Sequence, residues 1–366
     1  MTSKTTNVGV IGCGNISDIY LTNAQWLNNI NVVGVTDLRL EMAKSQADKY
    51  SISTVYDSVE AMLADPDIDL VLNITHPAAH GDVAQAAVEA GKSVYNEKPL
   101  TLSREQGKKL VATAKENGVL VGCAPDTFLG AGHQTARKLI DDGAIGNLVS
   151  ANAFMMGWGM EMWHPNPEFY FKPGGGPMFD MGPYYLTDLI FMMGPIATIS
   201  GMVTTGRKQR TITSQPLSGT VIDVEVPTHV SGLMQFENGA IGTIIQSFDA
   251  AGSNLPRIEI HGDAGSISVP DPNIFGGDVY LQKGGEREWT LIEHSHPYPE
   301  NSRGLGLADM ANALQTGNPH RANGDLAYHV LDAMHAFHDS AEIGAHVALE
   351  STCDRPEAMP TEAIYS

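Results

Sequence analysis

The chain is 366 residues long, 42% hydrophobic and 17% charged, with a formal net charge of −20 at pH 7. That length has room for two domains and that composition is ordinary for a soluble globular protein, while the acidity excludes nucleic acid, whose phosphates need a basic surface. Three scattered cysteines, Cys13, Cys123 and Cys353, are too few for a disulfide framework or a zinc cluster, and with no leader pattern and no apolar run long enough to span a bilayer the expected location is cytoplasmic.

The first element is an apolar strand, Val8–Ile11, which runs straight into Gly12-Cys13-Gly14-Asn15-Ile16-Ser17. A strand that turns into a helix through closely spaced glycines is the pattern of a dinucleotide pyrophosphate loop: Gly12 permits the turn, Gly14 lets the backbone approach, and the helix N-terminus faces the phosphates. A second strand, Val32–Val35, ends near Asp37, 23 residues beyond Gly14. An acid at about this spacing binds the adenosine ribose hydroxyls and repels a 2′-phosphate, so the expected cofactor is NAD rather than NADP, with Leu38 and Arg39 flanking the adenosine. The net negative charge is compatible with this, because backbone N–H groups hold the pyrophosphate.

Helices are expected at Leu38–Tyr50 and Ser58–Leu63, a buried strand at Asp69–Ile74, a helix at His80–Ala90 stopped by Gly91, and a strand at Ser93–Asn96. A helix from Ser103, its N-cap, to Asn117 and a strand at Val119–Cys123 follow. Strands separated by helices imply a doubly wound parallel sheet of Rossmann type. Beyond a linking helix at Gly130–Asp142 the pattern changes. Val230–Phe236 and Ala240–Phe248 flank Glu237-Asn238-Gly239, a hairpin turn, and Arg257–His261, Ser266–Val269 and Val279–Gln282 read as further short strands. The second domain is therefore a large, mostly antiparallel sheet with helices. Val230, Met234, Ile244 and Gln246 alternate on strands expected to present an uncovered interface face. Two late helices, Leu305–Gln315 and Gly324–Leu349, complete the chain. His329, His335, His338 and His346 on the latter are read as solvated or locally bonded, and no metal is expected. The segmentation is 1–124, 125–350 and a C-terminal arm, 351–366, which is expected to pack on a partner subunit.

Four motifs in order resemble the Gfo/Idh/MocA oxidoreductase family, named for glucose–fructose oxidoreductase and inositol dehydrogenase. They are the Gly12 loop, Thr75-His76-Pro77-Ala78-Ala79-His80, Glu97-Lys98-Pro99, and the run from Gly174 to Tyr184. The resemblance implies that Thr75, His76, Pro77, His80, Glu97 and Trp163 join Gly12, Cys13, Gly14, Asn15, Ile16, Asp37, Leu38 and Arg39 around the cofactor, and that the Lys98–Pro99 peptide is cis. It implies Lys98 as the proton acceptor and donor in hydride transfer between an alcohol carbon and nicotinamide. A free lysine is too basic for that at neutral pH, so burial and the positive nicotinamide ring have to favour its neutral form.

Asp180 and Tyr184 fall four residues apart, on one helix face that is read as running to Met193. Tyr184 occupies a position that is histidine in many relatives; its phenol is a candidate proton-relay partner of Lys98, and the Gly174–Gly176 run is read as backbone passing close to the cofactor. His164 stands where much of the family has arginine. Asp126 lies in a segment where many relatives carry arginine and this chain has none. With Lys98, Asp126, His164, Asp180 and Tyr184 as substrate contacts, the pocket favours a neutral polyhydroxylated ligand. The resulting expectation is an NAD-dependent dehydrogenase that oxidises a secondary hydroxyl of a neutral sugar, glycoside or cyclic polyol, assembled as a homodimer or homotetramer through the C-terminal sheet. The alternatives are a glycosidase that retains its NAD and a non-catalytic NAD-binding sensor.

Overall fold

The computed structural model describes residues 5–365. Their chain divides into two compact units. The first extends to Ala131 and takes in His296–Leu331 and the segment from Pro356; the second comprises Gly132–Ser295 and Asp332–Arg355. The units therefore interleave along the chain, whereas the sequence expectation has three contiguous stretches.

The first unit is built on β1 (Thr6–Ile11), α1 (Ser17–Ala24), β2 (Ile30–Thr36), α2 (Leu40–Tyr50), β3 (Thr54–Val55), α3 (Val59–Leu63), β4 (Leu70–Asn73), α4 (His80–Glu89), β5 (Ser93–Asn96), α5 (Arg104–Asn117) and β6 (Val121–Cys123). All six strands pair in parallel in the order β3-β2-β1-β4-β5-β6, the doubly wound arrangement in which ligands bind beyond the carboxyl ends of the strands. Helices cover both faces of such a sheet, which is why β4 and β5 are buried at every residue rather than alternately. Ile11, Val71, Ala84, Val88, Val94 and Leu110 pack in one core cluster beneath α4 and α5. β3 is the element the sequence reading did not name; two residues are too few for periodicity to register.

The second unit contains α6 (Ala131–Asp141), β7 (Leu148–Met156), α7 (Pro177–Asp180), α8 (Gly182–Met193), β8 (Ile196–Thr204), β9 (Gln209–Thr211), β10 (Val221–Asp223), β11 (His229–Phe236), β12 (Ile241–Ser247), β13 (Ile258–Gly262), β14 (Gly265–Val269), β15 (Val279–Lys283) and β16 (Thr290–Ile292). The two late helices are α9 (Leu305–Thr316) and α10 (Gly324–Ile343), followed by β17 (Val347–Ala348). Nine strands form one sheet in the order β16-β15-β14-β13-β7-β12-β11-β8-β17, antiparallel except for β12 beside β7. β9 and β10 form a separate hairpin.

Two expectations are corrected here. Val230, Met234, Ile244 and Gln246 are all buried, at 1% exposure or less; they line the covered face, and the open face carries the opposite parity, with Leu233 (49%), Ile241 (52%) and Met202 (79%) exposed. Alternation fixes which residues share a face but not which face is covered. The last long helix stops at Ile343, before Gly344, and the chain then adds β17 to the sheet edge beside β8; His346 is therefore off the helix and exposed, while His329 is fully buried. Within its own chain the C-terminal arm is held by hydrogen bonds: Arg321 Nε donates to the Glu357 carbonyl, and the Asn28 N–H donates to the Tyr365 carbonyl.

Candidate functional site

In the first unit, the residues singled out by sequence gather at the carboxyl ends of β1, β2, β4 and β5. Gly12 has φ +102°, and a Cβ there would lie 2.7 Å from the Ile74 carbonyl oxygen, so only glycine fits. A Cβ on Gly14 would meet nothing within 4 Å: the backbone there faces open space. Ser17 takes the place of a third glycine. Its N–H and its hydroxyl both donate to the Gly14 carbonyl, at 3.0 and 2.6 Å, which closes the loop onto the helix. α1 has no side-chain cap at its N-terminus, so apart from the Ser17 N–H its first-turn N–H groups meet no capping side chain and suit an external acceptor. An open glycine cradle ahead of an uncapped helix is what a dinucleotide pyrophosphate fits.

Asp37 holds this loop from the next strand. One carboxylate oxygen accepts the Cys13 N–H at 2.7 Å and the other the Arg39 N–H at 2.8 Å. Leu38 and Arg39 are exposed, Leu38 completely, and Asn15 is exposed as well. Burial, reinforced by the Asp37 charge, pushes the Cys13 thiol up to about 12, so it is neutral and takes no part as a thiolate.

The loops after β4 and β5 are joined by a buried amide ladder. Asn73 and Asn96 end their strands in register and are fully buried. Asn73 Nδ2 donates to Asn96 Oδ1 at 2.9 Å, Asn96 Nδ2 donates to the Leu100 carbonyl at 3.0 Å, and Thr75 Oγ1 donates to Asn73 Oδ1 at 2.7 Å. His80 is 1% exposed, and its two ring nitrogens lie 2.8 Å from the Pro99 carbonyl and 3.0 Å from the Thr75 carbonyl. This corrects its reading as a cofactor contact: the ring is enclosed between two backbone carbonyls, and with burial pushing the imidazole below its ordinary value the neutral ring donates its one N–H to one of them. His76 is exposed and caps the short 3₁₀ turn Pro77–Ala79 through Nδ1.

Glu97 is held from two sides. Tyr20 Oη donates to Oε1 at 2.8 Å and the Lys98 N–H donates to Oε2 at 2.9 Å. Burial, with Glu97 beside it, keeps the Tyr20 phenol well above its ordinary value, so it remains a donor. Lys98 is half-buried and the Lys98–Pro99 peptide is cis, as the resemblance implied.

Asp126 does not face a ligand. It is 1% exposed, and its Oδ2 accepts the N–H groups of Gly304 and Gly306 at 2.8 and 3.0 Å, which makes it a remote cap on the start of α9. Burial outweighs those two hydrogen bonds and raises its carboxyl to about 6. A sequence separation of 178 residues is what hid this role.

In the second unit, Asp180 and Tyr184 lie on two helices, not one. Met181, at φ −106°, ends α7 and begins α8, so Asp180 sits just outside the N-terminus of α8, where its charge complements the helix dipole. Tyr184 is 7% exposed in the first turn of α8. The Gly174–Gly176 run serves packing: a Cβ at Gly175 would lie 2.5 Å from the Phe169 carbonyl oxygen, and one at Gly176 2.9 Å from that of Pro227. Trp163 is 63% exposed. His164 touches the rings of Trp163, Phe169 and Tyr170 at centroid distances of 5.3–5.5 Å. Its Nδ1 accepts the Asn166 N–H, which leaves the neutral ring's proton on Nε2. Burial pushes its pKa down, and the nearby Asp180 charge opposes that.

Tyr20, the Asn73–Asn96 pair and Arg210, which is described below, were missed by sequence reasoning. The asparagines had a signal, since two neighbouring strands, Leu-Val-Leu-Asn and Ser-Val-Tyr-Asn, both end on one. Among the described residues no group of His, Cys, Asp or Glu is arranged to hold a metal, and no helix is long and apolar enough to cross a membrane.

An open glycine cradle on a 3-2-1-4-5-6 parallel sheet, with an acid at the end of its second strand, defines a dinucleotide-binding oxidoreductase fold. The chain belongs to the Gfo/Idh/MocA family: residues 6–124 match the oxidoreductase family's NAD-binding Rossmann fold, and residues 133–268 match the Gfo/Idh/MocA C-terminal domain. D-glucoside 3-dehydrogenase of Escherichia coli is 25% identical over 364 residues, covering 95% of this chain and 99% of the relative. 1,5-Anhydro-D-fructose reductase of Ensifer adhaerens is 26% identical over 285 residues, 75% of this chain and 77% of the relative. Levoglucosan dehydrogenase in complex with NADH and levoglucosan shares the fold at a TM-score of 0.81 and 21% identity, covering 95% of this chain and all of that one.

Proposed function

We propose that this protein is an NAD-dependent dehydrogenase that oxidises a secondary hydroxyl of a neutral sugar, glycoside or cyclic polyol. The observation that carries the reading is the Glu97-Lys98-Pro99 segment, fixed at the sheet's ligand-binding edge by Tyr20, His80 and Asn96. Bound NAD supplies the hydride acceptor. Gly12, Gly14 and the first turn of α1 hold its pyrophosphate, and Asp37, whose oxygens keep lone pairs free, takes the ribose hydroxyls and repels a 2′-phosphate. Lys98 accepts the proton of the reacting hydroxyl. Tyr184 assists that transfer, Asp180 and His164 bind further hydroxyls, and Trp163 walls the site. The near-full-length relation to a D-glucoside 3-dehydrogenase supports a glycoside, and a net charge of −20 works against phosphorylated or carboxylated sugars. A cytoplasmic setting, with its pool of NAD, fits this chemistry.

The test is a panel of glycosides, free sugars, inositols and sugar phosphates assayed for NADH formation, with NADP in parallel. A neutral glycoside or sugar with NAD is expected to give the highest kcat/KM. Turnover with no net NADH would point instead to a glycosidase that recycles its cofactor, and NAD binding without turnover on any member to a sensor.

A further inference from the structure

Arg210, on β9, is 3% exposed and sits between two carboxylates. Its Nη1 donates to Glu161 Oε1 at 2.5 Å and to the Trp158 carbonyl at 2.7 Å. Its Nη2 donates to Asp249 Oδ1 and, at 2.8 Å, to the Phe248 carbonyl, and the guanidinium lies over the Phe171 ring. Asp249 also accepts from Thr228 Oγ1 and the Gly206 N–H. Glu161 Oε2 and Arg210 Nε are buried without a partner.

Two carboxylates around one guanidinium leave an excess negative charge in a largely buried setting, with the Asp249 side chain 17% exposed, and two orphaned polar atoms add to the cost. Such a group is poor value as a source of stability, since apolar residues of similar volume commonly stabilise as well or better. What the group does achieve is geometry. Arg210 ties residues 158–161 to residues 248–249 through its planar fork. The Glu161 carbonyl accepts the Thr213 and Ser214 N–H groups, and Ser214 Oγ donates to the His164 carbonyl at 2.6 Å. A Cβ on Gly159, which has φ +108°, would sit 2.4 Å from Glu161 Oε2 and 2.6 Å from Arg210 Nη1, so the loop backbone lies against the triad. The next residues along this pinned loop are the exposed Met162 and Trp163 and then His164. A large exposed aromatic next to a pinned segment is suited to wall a ligand.

We infer that Arg210, with Glu161 and Asp249, is a positioning residue for substrate recognition: the triad holds the 158–164 loop in its sugar-receiving conformation. This rests on the reading of Trp163 and His164 as ligand contacts. The full-length protein is compared with Arg210→Met/Glu161→Gln/Asp249→Asn, which removes the charges and keeps the volume, and with Arg210→Lys, which keeps the charge and loses the fork. With methyl glucoside as the probe, the expected result is a sugar KM raised about tenfold, equivalent to about 1.4 kcal/mol, with kcat and NAD affinity within about twofold of the parent. The triple variant's Tm is expected to be equal or higher, and hydrogen exchange across residues 158–164 faster. If the triple variant does not fold, the Lys variant decides on the same measurements. Unchanged exchange in the loop overturns the positioning role, and faster exchange with an unchanged KM overturns its link to the substrate. Trp163→Ala and His164→Ala test the underlying reading separately: if both leave KM unchanged, that reading fails whatever the triad variants do.

Discussion

Lys98, the proposed proton acceptor, illustrates how few of a site's determinants are carried by one residue. Its position comes from Glu97, Pro99 and Leu100, each gripped by a different element. Lys98→Ala is expected to lower kcat by about 10²–10⁴, the usual range for a positioned acid or base, while NAD affinity measured by titration stays close to the parent. If Tyr184 acts with Lys98 as one unit, adding Tyr184→Phe to Lys98→Ala should cost little more, because losses within a unit do not add; strictly additive losses would separate the two roles. Asp126 has a different signature, visible in stability. Its carboxyl is raised to about 6 by burial, above the unfolded value of about 3.9. The folded state thus binds this proton more tightly, and the stability from it is fully present below about pH 4 and is lost as pH rises toward about 6. Asp126→Asn keeps one oxygen that can accept both glycine N–H groups and cannot ionise. Plotted against pH, the difference in Tm between wild type and this variant should shift against wild type across that window and then level off; a difference that does not move with pH would count against the assignment.

At the scale of elements, local signals were sufficient wherever a device is local. Ser103 caps α5 by accepting the Gln106 N–H, as the sequence implies, and Ser103→Ala is expected to cost about 1 kcal/mol in urea unfolding, with the midpoint displaced and the slope unchanged. The parallel strands other than β3, the hairpin at Asn238-Gly239 and the starts of α9 and α10 were legible for the same reason: periodicity and turn chemistry act over a few residues. Three features were not. Met181 breaks what reads as a continuous helix through Asp180 and Tyr184, although Pro183, which lacks an N–H and sits in the first turn of α8, marks a helix start. β17 is two residues long and exists only because β8 offers it an edge. The use of Asp126 as a cap on residues 304 and 306, and the placing of the buried His80 ring against the Pro99 carbonyl, depend on partners outside any short window of sequence. The motifs thus located the loops correctly, while the direction each side chain faces was decided by tertiary structure.

For the whole molecule, the open face of the nine-stranded sheet bears on assembly. Leu233, Met202 and Ile241 are exposed on strands whose opposite face is buried, and we propose that a second copy of the chain covers them, giving the homodimer or homotetramer. Leu233→Arg puts a charge into the middle of that face on β11. Light scattering at micromolar concentration should show the parent as an oligomer and the variant shifted toward monomer, with NAD binding retained; a monomeric parent would remove the proposal.

The path of the C-terminal arm has a consequence for the order in which the protein matures. Met359 and Tyr365 are buried in the first unit, where His296 and Met359, and Asp309 and Tyr365, are joined by hydrogen bonds. Domains generally fold as they leave the ribosome, N-terminal part first, yet the nucleotide-binding unit, although its sheet is translated first, still lacks α9 and the arm until the last residues emerge. Its sheet must wait, partly assembled, while the entire second unit is synthesised. A chain ending at Arg355 should therefore lose thermal stability and NAD affinity together, although none of the deleted residues is among the proposed cofactor contacts, and a truncated chain that binds NAD as tightly as the parent would show that the waiting sheet is already competent.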